Sequence, residues 1–314
     1  MSTRSSGQHS SLLAGRVFAA SEALAAGVSR DEITRLVRTR QWVRLRHGVY
    51  VDRATFDSMS GQAQRHRLFV QGHLLKLGPG AVASHRSAAL LSGMSLLEGP
   101  SDVEVTRTTS TTRVRAGLRV LDAPLPAHHV ATDAQGVAIT APARTVVDLA
   151  RYLPFREAVV AADSALHQRL VAPGELATAL EFVRFWRGSL RAGRVVAAAD
   201  GRADSPGESL LRLDLHALGW LEAVAQAEVH GASGARYFAD FLLPSVHVII
   251  EFDGRIKYLD SPHAVFDAEK RREDDLRQMG WAFVRITWAD LGRLDVLREK
   301  IRAAVAVAHL RRAD

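Results

Sequence analysis

Hydrophobic and polar positions follow two different periods along this chain, and both occur close to its N-terminus. Apolar residues recur three and four positions apart between Ile33 and Val37, which predicts one buried face of a helix. Ser29, followed by Glu32, forms a capping box and predicts where this helix begins. Residues 41–51 then alternate between apolar and polar on both sides of a His-Gly pair, which predicts a β-hairpin.

These elements follow a shorter helix that is closed by a glycine, so the order is helix, turn, helix and hairpin. We therefore predict a winged helix-turn-helix domain over residues 11–55, after a polar tail at residues 1–10 that we expect to be disordered. In this class the second helix enters the DNA major groove and the hairpin contacts phosphates. The alternative is an ordinary solvated face. The candidate DNA-binding residues are Arg30, Arg35, Arg38, Arg40, Arg44 and Arg46.

The middle region, residues 60–200, combines both periods and is predicted to be α+β. Helical patterns cover residues 60–77 and 84–94, and they are separated by a Gly-Pro-Gly break. Alternation over residues 101–140 predicts strands. A long helical stretch then follows from Pro142 to about residue 200.

The C-terminal region, residues 205–314, is predicted to be an α/β domain that follows a linker at residues 201–208. Ser205 and Glu208 form a second capping box at the start of its first helix. The run VIIEF is nearly unbroken in apolar residues, as in a central strand covered on both faces. The predicted elements after the first helix are strands at 235–243 and 246–254, a charged helix at 266–280, a strand at 281–288 and a terminal amphipathic helix.

Composition narrows the class of protein. The chain contains no cysteine, which excludes disulfides, thiolate zinc sites and cysteine nucleophiles and is typical of a reducing cytoplasm. Hydrophobic residues make up 47% and charged residues 24%, as in globular proteins. Because the sequence contains neither a signal peptide pattern nor an apolar run of about 18 residues, we expect a cytoplasmic protein without membrane segments.

The net charge of +7 is distributed unevenly along the chain. Residues 1–70 contain 11 arginines against 5 acidic residues, a net charge of +6. Residues 205–314 contain 15 basic and 17 acidic residues, a net charge of −2. The N-terminal part is therefore suited to a polyanion such as DNA, whereas the C-terminal part is suited to metal cations.

Three carboxylates are predicted to converge in the C-terminal region. If the hairpin turns at residues 245 and 246, Asp240 lies directly across from Glu251, with Cβ atoms about 5 Å apart. Asp253 lies on the same face as Glu251. Because such close like charges repel, a proton or a cation must neutralise one of them, and oxygen ligands favour Mg²⁺ or Mn²⁺. A one-residue slip in register would move Asp240 to the opposite face.

One basic residue accompanies these carboxylates. Lys257 follows Asp253 by four positions and could orient water or hold a phosphate oxygen. Each residue also has an ordinary structural explanation. Asp253 and Gly254 could form a turn, and Lys257 could be a solvated surface lysine.

The C-terminal region resembles the DUF559 domain of the PD-(D/E)XK nuclease superfamily, which is close to the very-short-patch-repair endonucleases. The resemblance extends over residues 205–310. It rests on Glu208, Asp240, the run Glu251–Gly254, Lys270–Arg272, Gly280-Trp281 and the sequence VRITW.

This resemblance implies a restriction-endonuclease-like sheet and a Mg²⁺-dependent DNA nuclease. It also implies that Asp240 and Glu251 are metal ligands and that Glu208 is the helix carboxylate of the site. The chain departs from the superfamily pattern at two positions. Asp253 stands where a lysine is usual, and Lys257 stands near the position of a histidine that is typical of this branch.

Residues 10–200 resemble the AbiE-type antitoxins of type IV toxin–antitoxin systems. The resemblance rests on the run at residues 19–51, on SHRSAALLSGM at residues 84–94 and on APARTVVDLAR at residues 141–151. It implies DNA binding and autoregulation but does not itself imply a partner toxin. The candidate partners are DNA and a cognate toxin protein.

Two functions follow from these expectations. The first is a DNA-binding protein whose C-terminal domain hydrolyses phosphodiester bonds with Mg²⁺ or Mn²⁺, in phage defence, toxin–antitoxin or repair. The alternative is a catalytically inactive DNA-binding regulator, or type IV antitoxin, that keeps the nuclease fold as a platform.

Overall fold

The computed structural model describes residues 13–108, 111–254 and 263–313, and the contacts among these residues group them into two compact units. The first unit consists of the residues up to Leu153 together with Val171–Gly193. The second consists of Pro154–Leu170 and the residues from Arg194 onward. The expected tail at residues 1–10 and the candidate Lys257 lie outside the described residues.

The first unit opens with short helices and an antiparallel sheet with strand order β1-β3-β2. The elements are β1 (Phe18–Ala19), α1 (Ala20–Ala25), α2 (Arg30–Arg38), β2 (Trp42–Arg46), β3 (Val49–Asp52) and α3 (Arg53–Ser58). The predicted helix, helix and hairpin therefore occur in the predicted order. Phe18 and Trp42 meet edge to face at 4.7 Å in the small core beneath them.

The predicted capping box at the start of α2 forms only in part. The Ser29 hydroxyl accepts a hydrogen bond from the backbone N–H of Glu32. The Glu32 carboxylate does not reach back, because it accepts hydrogen bonds from the Arg35 side chain one turn later. Gly48 has a φ of +69°, which permits the tight turn between β2 and β3.

A long helix and a mixed sheet follow, with strand order β6-β7-β5-β4-β9-β8. The elements are α4 (Gln62–Leu77), β4 (Ala81–Ala83), α5 (His85–Leu91), β5 (Val103–Arg107), β6 (Arg113–Arg115), β7 (Leu118–Asp122), β8 (Val130–Thr132) and β9 (Ala138–Thr140). The chain then continues as α6 (Pro142–Tyr152), α7 (Phe155–His167), α8 (Pro173–Phe182) and α9 (Ser189–Ala198). The middle region is therefore α+β.

The second unit has the sheet order β10-β11-β12-β13, in which β10, β11 and β12 are antiparallel and β13 runs parallel to β12. Ile249 and Ile250 of β12 are fully buried on opposite faces, as the apolar run predicted. The elements are α10 (Pro206–Ala217), β10 (Val224–His230), β11 (Arg236–Leu243), β12 (Val248–Asp253), α11 (His263–Gln278), β13 (Ala282–Thr287) and α12 (Leu294–Ala313).

Helix α7 packs in the second unit through ion pairs with α10. Asp163 accepts a hydrogen bond from Arg212 at 2.8 Å, and both side chains are buried. Arg156 forms a bidentate ion pair with the buried Asp214. Among the described helices, none is both long and apolar enough to cross a bilayer.

Candidate functional site

The hairpin of β11 and β12 adopts the register that the sequence predicted. Phe241 pairs with Ile250 and Leu243 pairs with Val248, so the same register places Asp240 opposite Glu251. The backbone N–H of Phe252 donates a hydrogen bond to Asp240 Oδ2 at 2.7 Å. The two carboxylates therefore lie on adjacent strands at the C-terminal end of β12.

The start of α10 brings Glu208 to the same place. Ser205 caps this helix by accepting a hydrogen bond from the Glu208 backbone N–H, and Pro206 occupies the first turn. Gly207 lies against Phe252 so closely that a Cβ at this position would lie 2.0 Å from the ring carbon Cε1. A glycine here thus lets the helix approach the end of β12.

The Glu208 side chain combines the two roles that the sequence allowed. It accepts hydrogen bonds from the Ser205 hydroxyl at 2.7 Å and from Gln226 Nε2 at 2.9 Å. It also interacts with the charge of Asp240. Glu208 therefore belongs to a three-carboxylate group, which we call the carboxylate cluster: Glu208, Asp240 and Glu251.

Burial makes this cluster electrostatically unusual. Burial, then a hydrogen bond with the Asp204 side chain, raises the pKa of Glu208 to about 8. Burial, then the charge of Asp240, raises the pKa of Glu251 to about 7. Protons or a bound cation would relieve the repulsion between these groups.

A guanidinium group already partners one member of the cluster. Arg272 of α11 donates to Glu251 Oε1 at 2.8 Å and lowers the raised pKa of that carboxyl in part. The sequence predicted a charged helix here but not this contact. Asp253 follows on β12 and pairs in register with Thr287. Within the described part of the chain, no group of three or more His, Asp or Glu residues is placed to hold a metal ion.

The six candidate DNA-binding arginines of the first unit fall into two groups. Arg35 pairs with Glu32, and Arg46 lies 3.0 Å from His73 Nδ1, so both contact neighbouring protein groups. The others form no ion pair with any described residue and are exposed: Arg30, Arg38, Arg40 and Arg44. We call these four the exposed arginine face. They lie on α2, on the turn after it and on β2.

Comparison with known proteins shows which family the middle of the chain resembles. Residues 61–197 match the family model of the AbiEi antitoxin C-terminal domain, which confirms the antitoxin resemblance of this region. The uncharacterized proteins MT2308 (strain CDC 1551 / Oshkosh) and Rv2248 (strain H37Rv) of Mycobacterium tuberculosis are each 30% identical to the chain over 292 residues. Each match covers 91% of this chain and 98% of the relative.

A solved structure is also similar in part. The crystal structure of the RV2827C protein from Mycobacterium tuberculosis aligns with a TM-score of 0.43 and 17% identity, covering 66% of this chain and 78% of that one. The matched family model and these two relatives provide no support for the nuclease expectation.

Proposed function

The chain belongs to the same family as the Mycobacterium tuberculosis proteins MT2308 and Rv2248, and we propose that it is a DNA-binding regulator of the antitoxin class. The observation that carries this proposal is the AbiEi antitoxin C-terminal domain at residues 61–197. The elements that precede this domain, two short helices followed by a β-hairpin, have the order expected of a winged helix-turn-helix, which supports the proposal. In this proposal, the N-terminal module binds an operator and the middle region supplies the antitoxin activity.

The exposed arginine face supports the DNA-binding half of the proposal. Arg30 and Arg38 project from α2, the helix that would enter the major groove, and Arg44 lies on the hairpin that would follow the backbone. These guanidinium groups are exposed and form no ion pair with another described residue, so they are available for phosphates and guanine edges. Arg35 and Arg46 are weaker candidates, because each would have to exchange a protein partner for DNA.

Duplex binding tests this proposal. We expect the full chain to bind DNA from the region upstream of its own gene, with an affinity that falls steeply as salt rises. In fluorescence anisotropy, Arg38→Gln and Arg44→Gln should each weaken binding and reduce the salt slope by about 0.9 per lost phosphate contact. Arg298→Gln, an exposed arginine on α12, is the charge-matched control. Binding that is unchanged in both variants would refute the role of this face.

The antitoxin half needs a separate test. We propose that residues 61–197 counteract a nucleotidyltransferase-class toxin encoded beside this chain. Co-expression of the full chain with that toxin should restore growth, and the Arg38→Gln and Arg44→Gln variants should still restore it from a heterologous promoter. Growth arrest despite normal expression of the full chain would refute this half alone.

A second candidate is the metal-dependent nuclease that the DUF559 resemblance implies. Two members of the carboxylate cluster support it, because Asp240 and Glu251 lie on adjacent strands and a hard cation bound to their oxygens would relieve the repulsion between them. Asp240 and Glu251 would hold Mg²⁺ or Mn²⁺, which would supply an activated water for phosphodiester hydrolysis. Glu251 would have to give up its ion pair with Arg272, and Glu208 would hold a proton or a water beside it.

Calorimetry with Mg²⁺ and Mn²⁺ alone, followed by plasmid cleavage, tests the nuclease candidate. Asp240→Asn should abolish metal binding and cleavage, whereas Glu222→Gln, an exposed glutamate of the same unit, should change neither. If wild-type protein binds neither metal, the cluster is not a metal site.

A further inference from the structure

A basic and aromatic segment of the first unit lies outside both candidate sites. Residues 182–191, which we call the 182–191 segment, connect α8 to the start of α9. Phe185 is 85% exposed and Leu190 is 88% exposed. Arg184, Arg187 and Arg191 are also exposed. The segment therefore places an exposed aromatic ring beside three exposed arginines.

Hydrogen bonds to α6 fix the backbone of this segment. Arg151 donates from Nε to the carbonyl oxygen of Arg187 at 3.0 Å, and Arg191 donates to the carbonyl oxygen of Arg151 at 2.7 Å. Between them, Gly188 has a φ of +84°, and a Cβ at this position would lie 2.5 Å from the Arg151 carbonyl oxygen. The turn therefore requires glycine and lies directly against α6.

Trp186 anchors the segment from the inside. Two guanidinium groups lie close to its ring centroid, that of Arg144 at 4.8 Å and that of Arg151 at 4.9 Å. Asp148 accepts hydrogen bonds from both arginines, which holds them in place. Trp186 is held on the protein side of the segment, and its neighbour Phe185 is exposed to solvent.

The chemistry around Phe185 is that of a stacking surface. The Arg184 guanidinium lies 4.5 Å from the ring centroid, while its other contact is an ion pair with Glu181. Arg187 and Arg191 lie within six residues and add positive charge. Proteins that bind unpaired nucleic acid combine an exposed aromatic ring with arginines in this way. Two exposed apolar side chains provide far less area than the roughly 800 Å² per partner of a stable protein interface.

We propose that the 182–191 segment binds single-stranded nucleic acid, with an unpaired base stacked on Phe185 and neighbouring phosphates at Arg187 and Arg191. This site is separate from the exposed arginine face, which would bind duplex DNA. The chain would then contact nucleic acid at two places with different chemistry. The ligand class is a strand with unstacked bases, either DNA or RNA.

Anisotropy titrations of the full chain with labelled single strands about 12 nucleotides long test this proposal. The same sequence is used as DNA and as RNA to separate the two sources. Phe185→Ala should weaken single-strand binding about 5- to 150-fold, as expected for the loss of one stacked base. Phe185→Trp should retain it. Duplex binding and the thermal midpoint should stay at wild-type values in both variants.

Phe238→Ala is the matched control, because Phe238 is 53% exposed and has the Arg236 guanidinium 6.0 Å from its ring. It should bind single strands as wild type does. Equal loss in both alanine variants, or no loss in Phe185→Ala, would overturn the proposal. The proposal would also be overturned if the wild-type protein bound neither oligonucleotide. The exposed segment would then be a candidate surface for a protein partner.

Discussion

Arg144 donates from Nε to Asp148 Oδ2 at 2.7 Å, and both side chains are only 1% exposed. Arg151 donates to the other oxygen of the same carboxylate at 3.0 Å. One buried aspartate thus accepts hydrogen bonds from two guanidinium groups, and both of these groups lie within 5 Å of the Trp186 ring centroid. This network lies inside the region that matches the antitoxin domain.

Removing the Asp148 carboxylate should lower the stability of the first unit. Asp148→Ala leaves two buried guanidinium groups without their counter-charge, and we expect a loss of about 3–5 kcal/mol in the unfolding free energy of the first unit. Urea unfolding, with hydrogen exchange of α6 to localise the effect, measures this loss. The control is Asp57→Ala, which breaks an exposed ion pair with Arg53 and should cost less than about 1 kcal/mol. Similar losses in both variants would contradict the role of the network.

A second prediction concerns Gly207, which lets α10 approach β12 and so brings Glu208 into the carboxylate cluster. In Gly207→Ala the new methyl group would overlap the Phe252 ring, so α10 should move away from β12 at a cost of about 1–3 kcal/mol. Phe252→Leu removes most of the overlapping atoms. The alanine substitution should therefore cost much less in a Phe252→Leu background, as a double-mutant cycle of urea unfolding would show. Additive losses would mean that this contact does not limit the approach of the helix.

Much of the carboxylate cluster could be predicted from sequence, because burial constrains the strands that hold it. A nearly unbroken apolar run predicts a covered strand, and a turn centred on Ser245 and Val246 fixes its register. Asp240 and Glu251 follow from that register alone. The link from Arg272 to Glu251 could not be predicted, since α11 contains many charged residues and sequence does not distinguish those that face the sheet.

The side-chain contacts of the arginines in the first unit could not be predicted from sequence either. The helical period located α2 correctly, but it did not indicate that Arg35 would pair with Glu32 or that Arg46 would approach His73. Side-chain partners depend on rotamers and on elements that are distant in sequence. The position of α7 is a further example. It forms ion pairs with residues that are 49 and 58 positions further along the chain, and local periodicity cannot predict such distant contacts.

The stability of the first unit should depend on His73. Burial, and then the charge of Arg46, lowers the pKa of His73 to about 4, compared with 6.5 for a free histidine. Arg46 can only donate, so His73 Nδ1 accepts this hydrogen bond and the ring is neutral. Between pH 6.5 and 4 the unfolded chain binds the proton more tightly. Unfolding free energy should therefore fall as the pH drops through this window.

His73→Gln isolates this effect, because a glutamine oxygen can accept the same hydrogen bond but does not titrate. Urea unfolding of the first unit at pH 7.5 and pH 5 should show a smaller acid loss in this variant than in wild type. His47→Gln, at an exposed position on the hairpin turn, should show the wild-type loss. An equal acid loss in all three proteins would exclude His73 as a cause.

The second unit should respond to pH in the opposite direction. The pKa of Glu208 is raised to about 8, so the folded chain binds a proton that the unfolded chain releases near pH 4.5. The stabilising contribution of this proton is fully present below pH 4.5 and declines as the pH rises towards 8. Glu251, with a pKa of about 7, adds to the same trend. Hydrogen exchange of β11 and β12, corrected for intrinsic rates, should show more opening at pH 8.5 than at pH 5.5. Glu208→Gln should reduce this difference, whereas Glu299→Gln, at an exposed position, should not. An unchanged difference in Glu208→Gln would mean that ionisation of Glu208 does not destabilise the folded chain.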